Sequence, residues 1–380
     1  MLMVDCDFPG GNIVVDSIEG DVISVHQDLR DTEGDWFYWY FSVRGAAGRT
    51  ITVRFTQSNV IGVRGPGVST DGGWTWSWLG AEAVDGQSFD YTVPAGVDDV
   101  RFSFGMPYLQ RNLAAFLAQH VDSPYLRAEA LCLTNKGRLA EKLLVGQLDG
   151  EPDYRILLTS RHHCCEMMAT IAMEGILATV LGDTELGAWF REHVQFFAVP
   201  FVDKDGVEDG DQGKNRRPHD HNRDYNGDTP AGSIHPTIRA IREQVPAWAQ
   251  GRLDIALDMH CPHIRGPHNE EIYFPGGSDQ ENWAKVIRFS ELIQRELRGP
   301  LPYDPANNLP FGQAWNVPSN SSQGNSFGRW AQSEDYIGMG GSIEIAYANA
   351  SGAEVNQETA RLFGQDLARA LKAYLVEEVG

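Results

Sequence analysis

Ile156-Leu-Leu-Thr-Ser-Arg-His-His-Cys-Cys-Glu166 sets a short apolar run directly against two imidazoles, two thiols and a carboxylate. Residues 156–158 read as a buried strand, and 165–181, with Ala, Met, Ile and Leu at helical spacing, as a helix. The polar cluster therefore sits at a strand end. His163 and Glu166, three positions apart on one side of a turn, are candidate ligands for a single metal ion. His162 lacks that spacing and is read as a neighbour.

Beyond residue 112 the chain alternates β-type runs with helical ones. Strands are expected at 128–134, 143–147, 155–159, 194–199, 253–259, 271–274 and 342–347, and helices at 112–120, 165–181, 234–243, 280–297 and 357–378. This alternation predicts an α/β domain over 111–380, three layers around a mostly buried mixed sheet, with sites beyond the strand ends. Before it, 1–110 carries short β-type runs at 21–26, 36–43, 50–57, 88–93 and 100–105 between turn residues, which predicts an all-β sandwich. Trp74, Trp76 and Trp78 alternate, so a strand there would line three indoles on one face. Burial in a core or between domains is the preferred reading, and a platform for sugar or a partner the other.

The run Leu253-Asp-Ile-Ala-Leu-Asp-Met-His260 delivers a second imidazole at a strand end. His163, Glu166 and His260 make a His2Glu set, a combination used by catalytic zinc with one position left to water. Asp258, two residues before His260, is placed to orient an imidazole or to join a core network. Glu344, between Ile343 and Ile345, is a carboxylate in an otherwise buried run, suited either to a general base or to a buried ion pair.

Between the metal strands, residues 199–225 form a long polar loop, acidic at first and then basic. Asp203-x-Asp205 lacks the spacing of a calcium loop. Arg216, Arg217 and Arg223 with Asn222 suit a carboxylate clamp within an acidic protein.

Composition narrows the classes. The 380 residues are 42% hydrophobic and 22% charged, ordinary for globular chains. A net charge of −21 excludes nucleic acid and anionic membranes as general partners. The first ten residues show no basic segment followed by an apolar one, and five cysteines are sparse and odd in number. A cytoplasmic protein with reduced thiols is expected.

Taken in order, Arg161-His-His-x-x-Glu166, Pro200-x-x-Asp-x-Asp-Gly206, Asp220-x-Asn-Arg223, Asp258-x-His260 and Glu344 resemble the zinc carboxypeptidases of the funnelin type, in particular their cytosolic carboxypeptidase-like branch. The resemblance runs from about residue 112 to the end, and a preceding β-sandwich is also what that branch carries. It implies that His163, Glu166 and His260 hold Zn2+, that Glu344 is general base and then acid, and that Asn222 and Arg223 grip the terminal carboxylate of a peptide or protein. An upstream arginine would stabilise the oxyanion, Arg216 being the first choice and Arg217 the second. Cys164-Cys165 replaces the usual Pro-Gly, and these thiols with Cys261 read as small buried residues. The family's mobile tyrosine has no clear counterpart, with Tyr336 close to Glu344. Lys214, Arg217 and Arg265 are the basic side chains available to an acidic substrate. A deacylase of N-acyl amino acids and an inert module binding through the tryptophans are the alternative readings.

Overall fold

The computed structural model describes residues 1–321 and 323–380. Ten short strands precede the first helix: β1 (Met3–Asp5), β2 (Val14–Glu19), β3 (Val22–His26), β4 (Tyr40–Arg44), β5 (Thr50–Phe55), β6 (Gly67–Ser69), β7 (Ser77–Trp78), β8 (Val84–Asp85), β9 (Ser88–Thr92) and β10 (Asp99–Ser103). They form two five-stranded sheets, ordered β1-β4-β10-β6-β7 and β2-β3-β5-β9-β8. Alternation in β5 turns Ile51, Val53 and Phe55 inward. Phe89 on one sheet meets Phe102 on the other with ring centroids 5.2 Å apart, and Trp39 fills the gap against Phe55 at 4.9 Å. The aromatic interior between the sheets makes this region a sandwich.

The expected strand 36–43 starts only at Tyr40; before it, Phe37 packs against His263 and Tyr347 and the Tyr38 backbone bonds the Gln212 side chain instead of a neighbouring strand. Trp74, Trp76 and Trp78 do not share a face. Trp76 is buried edge-on to Tyr40, Trp78 donates its indole N–H to the Val355 carbonyl at 2.7 Å, and exposed Trp74 lies 4.8 Å beneath the Arg111 guanidinium. No three-indole platform forms.

After α1 (Gln110–Gln119) comes a six-stranded sheet of β11 (Leu126–Leu133), β12 (Leu139–Gly146), β13 (Tyr154–Ser160), β14 (Val194–Val199), β15 (Leu253–His260) and β16 (Ile337–Glu344). Its order is β11-β12-β14-β13-β15-β16; the first three strands pair antiparallel, the last four parallel. The helices are α2 (Met167–Leu181), α3 (Glu185–His193), α4 (Lys204–Asp209), α5 (Pro236–Ala249), α6 (Gln280–Glu296), α7 (Phe327–Ser333) and α8 (Gln357–Tyr374). Ile156 and Leu158 of β13 join the apolar cluster of α2, α6 and α8, whereas Leu157 joins that of α5 and α7. Helices thus cover both faces, giving three layers, and the parallel strands are apolar on both sides because neither side meets water. The expected strand 271–274 is reduced to a single bridge between Tyr273 and Glu344. Among the described residues no single helix is long and apolar enough to cross a membrane.

The register brings the chemistry together. Thr159 pairs with Asp258, Asp258 with Ser342 and His260 with Glu344, so the carboxyl ends of β13, β15 and β16 lie side by side. Apolar contacts continue from the sandwich into this half: Phe37 and Phe104 pack edge-on against Tyr347, at 5.6 and 5.1 Å.

Candidate metal centre and active site

Chain direction after β13 is set by Arg161, whose backbone lies in the left-handed region at φ 63°. That conformation is costly for a residue with a Cβ and persists only where surroundings enforce it. Here the buried guanidinium donates to the Cys164 carbonyl at 2.6 Å and the Tyr108 carbonyl at 2.9 Å. The turn sends consecutive histidines in different directions.

His162 points into the protein. It is fully buried, its Nδ1 2.8 Å from Asp258 and its Nε2 2.8 Å from the Tyr225 hydroxyl, so both ring nitrogens are engaged. His163 points into a cavity of about 490 Å³, where its Nδ1 lies 2.9 Å from Glu166 Oε1. His260 presents Nδ1 to Glu166 Oε2 at 2.7 Å and Nε2 to Asp258 Oδ2 at 2.5 Å. Two imidazole nitrogens therefore converge on one carboxylate, and the three ligand atoms lie within 4.8 Å of one another. His162, Asp258 and His260 satisfy the same distance criterion. That second group is closed by its own hydrogen bonds, while His163, Glu166 and His260 all line the cavity. The donor chemistry of the latter, two imidazoles and a carboxylate beside open volume, fits a divalent metal, typically zinc, with a free coordination position. Asp258, bridging His260 and His162, holds the His260 ring from behind, as carboxylates behind metal-bound histidines do.

Electrostatics follow from burial. Desolvation acts to raise the Glu166 pKa, but Lys214, His163 and His260 outweigh it and hold the carboxyl well below its usual range. Burial pulls His163 down. His260 rises, because Asp258 and Glu166 outweigh its desolvation. Glu344 sits across the cavity, 9% exposed, with Oε2 lacking a hydrogen-bond partner among the described residues. Burial pushes its carboxyl up to about 7, with His260 opposing and the nearby Glu166 charge adding.

Asn222 and Arg223 also line this cavity. The Asn222 amide oxygen accepts the Phe327 N–H at 3.1 Å, and Arg223 donates to the Asn222 and Asn320 carbonyls at 2.8 and 2.9 Å. These bonds leave guanidinium N–H groups for a ligand.

The two arginines proposed for the oxyanion are elsewhere. Arg216, 14% exposed, turns away from the metal cluster, and its three nitrogens bind Asp31 at 2.9 Å, Asp203 at 2.5 Å and Asp211 at 3.0 Å. Each of its three nitrogens faces a carboxylate, and Arg216 is not among the residues that line the cavity. Arg217 is 80% exposed and pairs with Glu33 at the surface. Arg265 donates to the Asn59 and Ile61 carbonyls of the sandwich.

Lys214 enters the cavity alongside Arg223 and Arg329, and it is the one of the three paired with Glu166 among the described residues. Its Nζ is 2.7 Å from Glu166 Oε1 and 5.0 Å from the centre of the Trp36 ring. Desolvation acts to lower its pKa, but the adjacent carboxylate prevails and the group stays charged. In sequence Lys214 is one of several basic residues in a polar loop, and Trp36 belongs to a distant β-rich segment. Neither position carries a local signal. Asp220 was visible in Asp-x-Asn-Arg without a role; its buried Oδ1 is 3.8 Å from His163 Nε2.

Cys164, Cys165 and Cys261 are buried free thiols, pushed up by desolvation, Cys165 to about 12. Gly213 packs directly over Cys164, which leaves no room for a side chain at 213. A Cβ on Gly213 would lie 2.5 Å from the Cys164 nitrogen and 2.7 Å from its sulfur. Tyr336 packs under α5 and α7, away from the cavity, whereas Tyr273 lines it.

No family model matches the chain. Its sequence is 29% identical over 166 residues to cytosolic carboxypeptidase 1 of Xenopus laevis, 40% of this chain and 13% of that protein. It is 23% identical over 297 residues to cytosolic carboxypeptidase 6 of Caenorhabditis elegans, 70% of this chain and 63% of that protein. The chain thus spans less than two thirds of either relative. The crystal structure of a metallo-carboxypeptidase from Burkholderia cenocepacia matches it with a TM-score of 0.78 at 18% identity, over 99% of both chains. The fold is that of the metallo-carboxypeptidases. Because the match covers both chains almost whole, the metallo-carboxypeptidase likeness extends through the β-rich N-terminal region as well as the α/β part.

Proposed function

We propose that this chain is a zinc-dependent metallo-carboxypeptidase that hydrolyses the C-terminal amide bond of a peptide or protein. The observation that carries the reading is the convergence of His163 Nδ1 and His260 Nδ1 on Glu166, with Glu344 and Arg223 lining the same cavity.

A zinc ion held by His163, Glu166 and His260 would supply Lewis acidity and water activation near neutral pH. The remaining work belongs to the chain. Glu344, whose Oε2 lacks a partner among the described residues and whose carboxyl is poised near neutrality, takes a proton from the water that attacks the carbonyl and delivers it to the departing nitrogen. Arg223, supported by Asn222, takes the terminal carboxylate and so restricts cleavage to chain ends. Asp258 holds the His260 tautomer. The cytosolic relatives and the five unpaired cysteines support a cytoplasmic setting.

The test is Glu344→Gln, assayed for bound zinc and for hydrolysis of a panel containing free peptides, C-terminally amidated peptides and N-acyl amino acids. Full zinc with hydrolysis of free peptides lost is expected. Normal turnover by the variant refutes Glu344 as the base. A wild-type preference for N-acyl amino acids points to a deacylase.

A further inference from the structure

We propose that Lys214 is the catalytic cation that holds the carbonyl oxygen of the scissile bond as it gains negative charge, and that Asp31 of the N-terminal β-rich region puts it in place. The proposal rests on the hydrolase reading above and deepens it.

Position comes first. With Nζ 2.7 Å from Glu166 Oε1, Lys214 stands beside the group that holds the metal, on the cavity wall shared with Glu344. An ammonium has three N–H donors, and among the described residues only Glu166 accepts from this one. The side chain is 12% exposed, so its field acts with little screening by solvent. Arg216 is bound by three carboxylates, and Arg223 is anchored on backbone carbonyls beside Asn222. Arg329 also lines the cavity, but among the described residues Lys214 is the lining cation paired with a carboxylate of the His163–Glu166–His260 cluster, which places it to answer charge at the reacting carbon.

Its placement depends on a part of the chain about 180 residues upstream. Asp31 accepts the backbone N–H of Gln212 and of Gly213, both at 2.9 Å, and the Arg216 Nε–H at 2.9 Å. Thr32 donates its hydroxyl to the Lys214 carbonyl. Gln212 exchanges hydrogen bonds with the Tyr38 backbone, at 2.6 and 2.8 Å. On the other side Gly213, at φ 78°, lies so close over Cys164 that no side chain fits. The backbone on both sides of Lys214 is thus clamped between the sandwich and the His163–Glu166 turn, and Trp36 covers the ammonium stem. Catalytic donors act by being fixed before charge develops. The sandwich is then part of the catalytic apparatus, and Asp31 is a positioning residue.

Lys214→Met, Lys214→Arg and Asp31→Asn test this in the full chain. Each is measured for zinc content, for kcat and KM on the best free peptide, and by calorimetry against two probes. One probe is a phosphinate pseudopeptide, which mimics the charged tetrahedral state; the other is a substituted succinate, which mimics only the terminal carboxylate. For Lys214→Met, full zinc, an unchanged KM, a kcat reduced about a hundredfold to a thousandfold and a parallel loss of phosphinate affinity are expected. Succinate affinity stays within threefold. Lys214→Arg recovers at least a tenth of kcat, and Asp31→Asn shows the same selective loss of kcat and phosphinate binding in weaker form. Loss of zinc from Lys214→Met, or a kcat within threefold of wild type, overturns the catalytic role. An Asp31→Asn protein that loses both probes equally overturns the positioning role. A zinc-loaded wild type that cleaves no peptide overturns the hydrolase reading itself.

Discussion

Replacing Arg216 by Met separates a strut from a catalytic group. The guanidinium binds Asp31, Asp203 and Asp211, and Asp203 is 1% exposed with the Gly206 N–H at 3.0 Å as its other close donor. Methionine fills similar volume but leaves Asp203 as a buried, poorly compensated charge. Removing one partner of such a buried pair costs about 3–5 kcal/mol. At about 2.1 cal/mol/K of unfolding entropy per residue, that corresponds to a fall in Tm of roughly 4–6 °C for a chain of this size. Arg216 outweighs desolvation and holds the Asp203 carboxyl below its ordinary value. The stability so gained is present above about pH 4 and is lost as pH falls below that value. The deficit of Arg216→Met relative to wild type should therefore be full from pH 7 down to about pH 4 and narrow below that. Thermal denaturation followed by circular dichroism at pH 7, 4.5 and 3, with zinc content determined in parallel at pH 7, reads all of this. A variant within 1 °C of wild type at pH 7 that has lost a hundredfold or more in kcat at constant KM would refute the reasoning and return Arg216 to the reacting bond.

Two further outcomes follow from the same geometry. Asp258→Asn should weaken zinc binding about tenfold to a hundredfold in a chelator competition, because it removes the carboxylate behind the His260 ring. Asp211, with its carboxyl pushed up to about 6 by burial and by Asp31, opposes folding when ionised. Its raised value favours the fold below about pH 4, and that contribution disappears as pH rises through 6. Asp211→Asn should therefore gain on wild type by about 3 kcal/mol between pH 4 and 8 in urea unfolding, at about 1.4 kcal/mol per pH unit. A difference independent of pH would show that Asp211 does not titrate there.

The sequence by itself determined the layers and the set of ligand candidates. Apolar runs of strand length alternating with helical periodicity imply a sheet covered on both faces, and β13 and β15 are buried along almost their whole length between the two helix layers. His163 and His260 stand out as imidazoles that follow apolar runs, Glu166 by its three-residue spacing from His163, and Glu344 as a carboxylate between Ile343 and Ile345; the register of the parallel strands then sets His260 beside Glu344. Choosing between His162 and His163 from spacing agrees with the way the Arg161 turn points them, yet the turn itself, a left-handed backbone at an arginine, has no mark in the sequence. Which basic residue meets Glu166 is settled by the folded chain alone. Arg216, Arg217 and Lys214 lie within four positions of one another in a loop without periodicity, so local pattern cannot aim them. Their directions are fixed by partners far away in the chain: three aspartates draw Arg216 out of the cavity, Glu33 draws Arg217 to the surface, and Glu166 with Trp36 takes Lys214 in. Strand ends are ordered by the hydrophobic effect acting on runs, which a sequence displays. Loop charges are ordered by pairing across space, and those pairs exist only once the chain has folded.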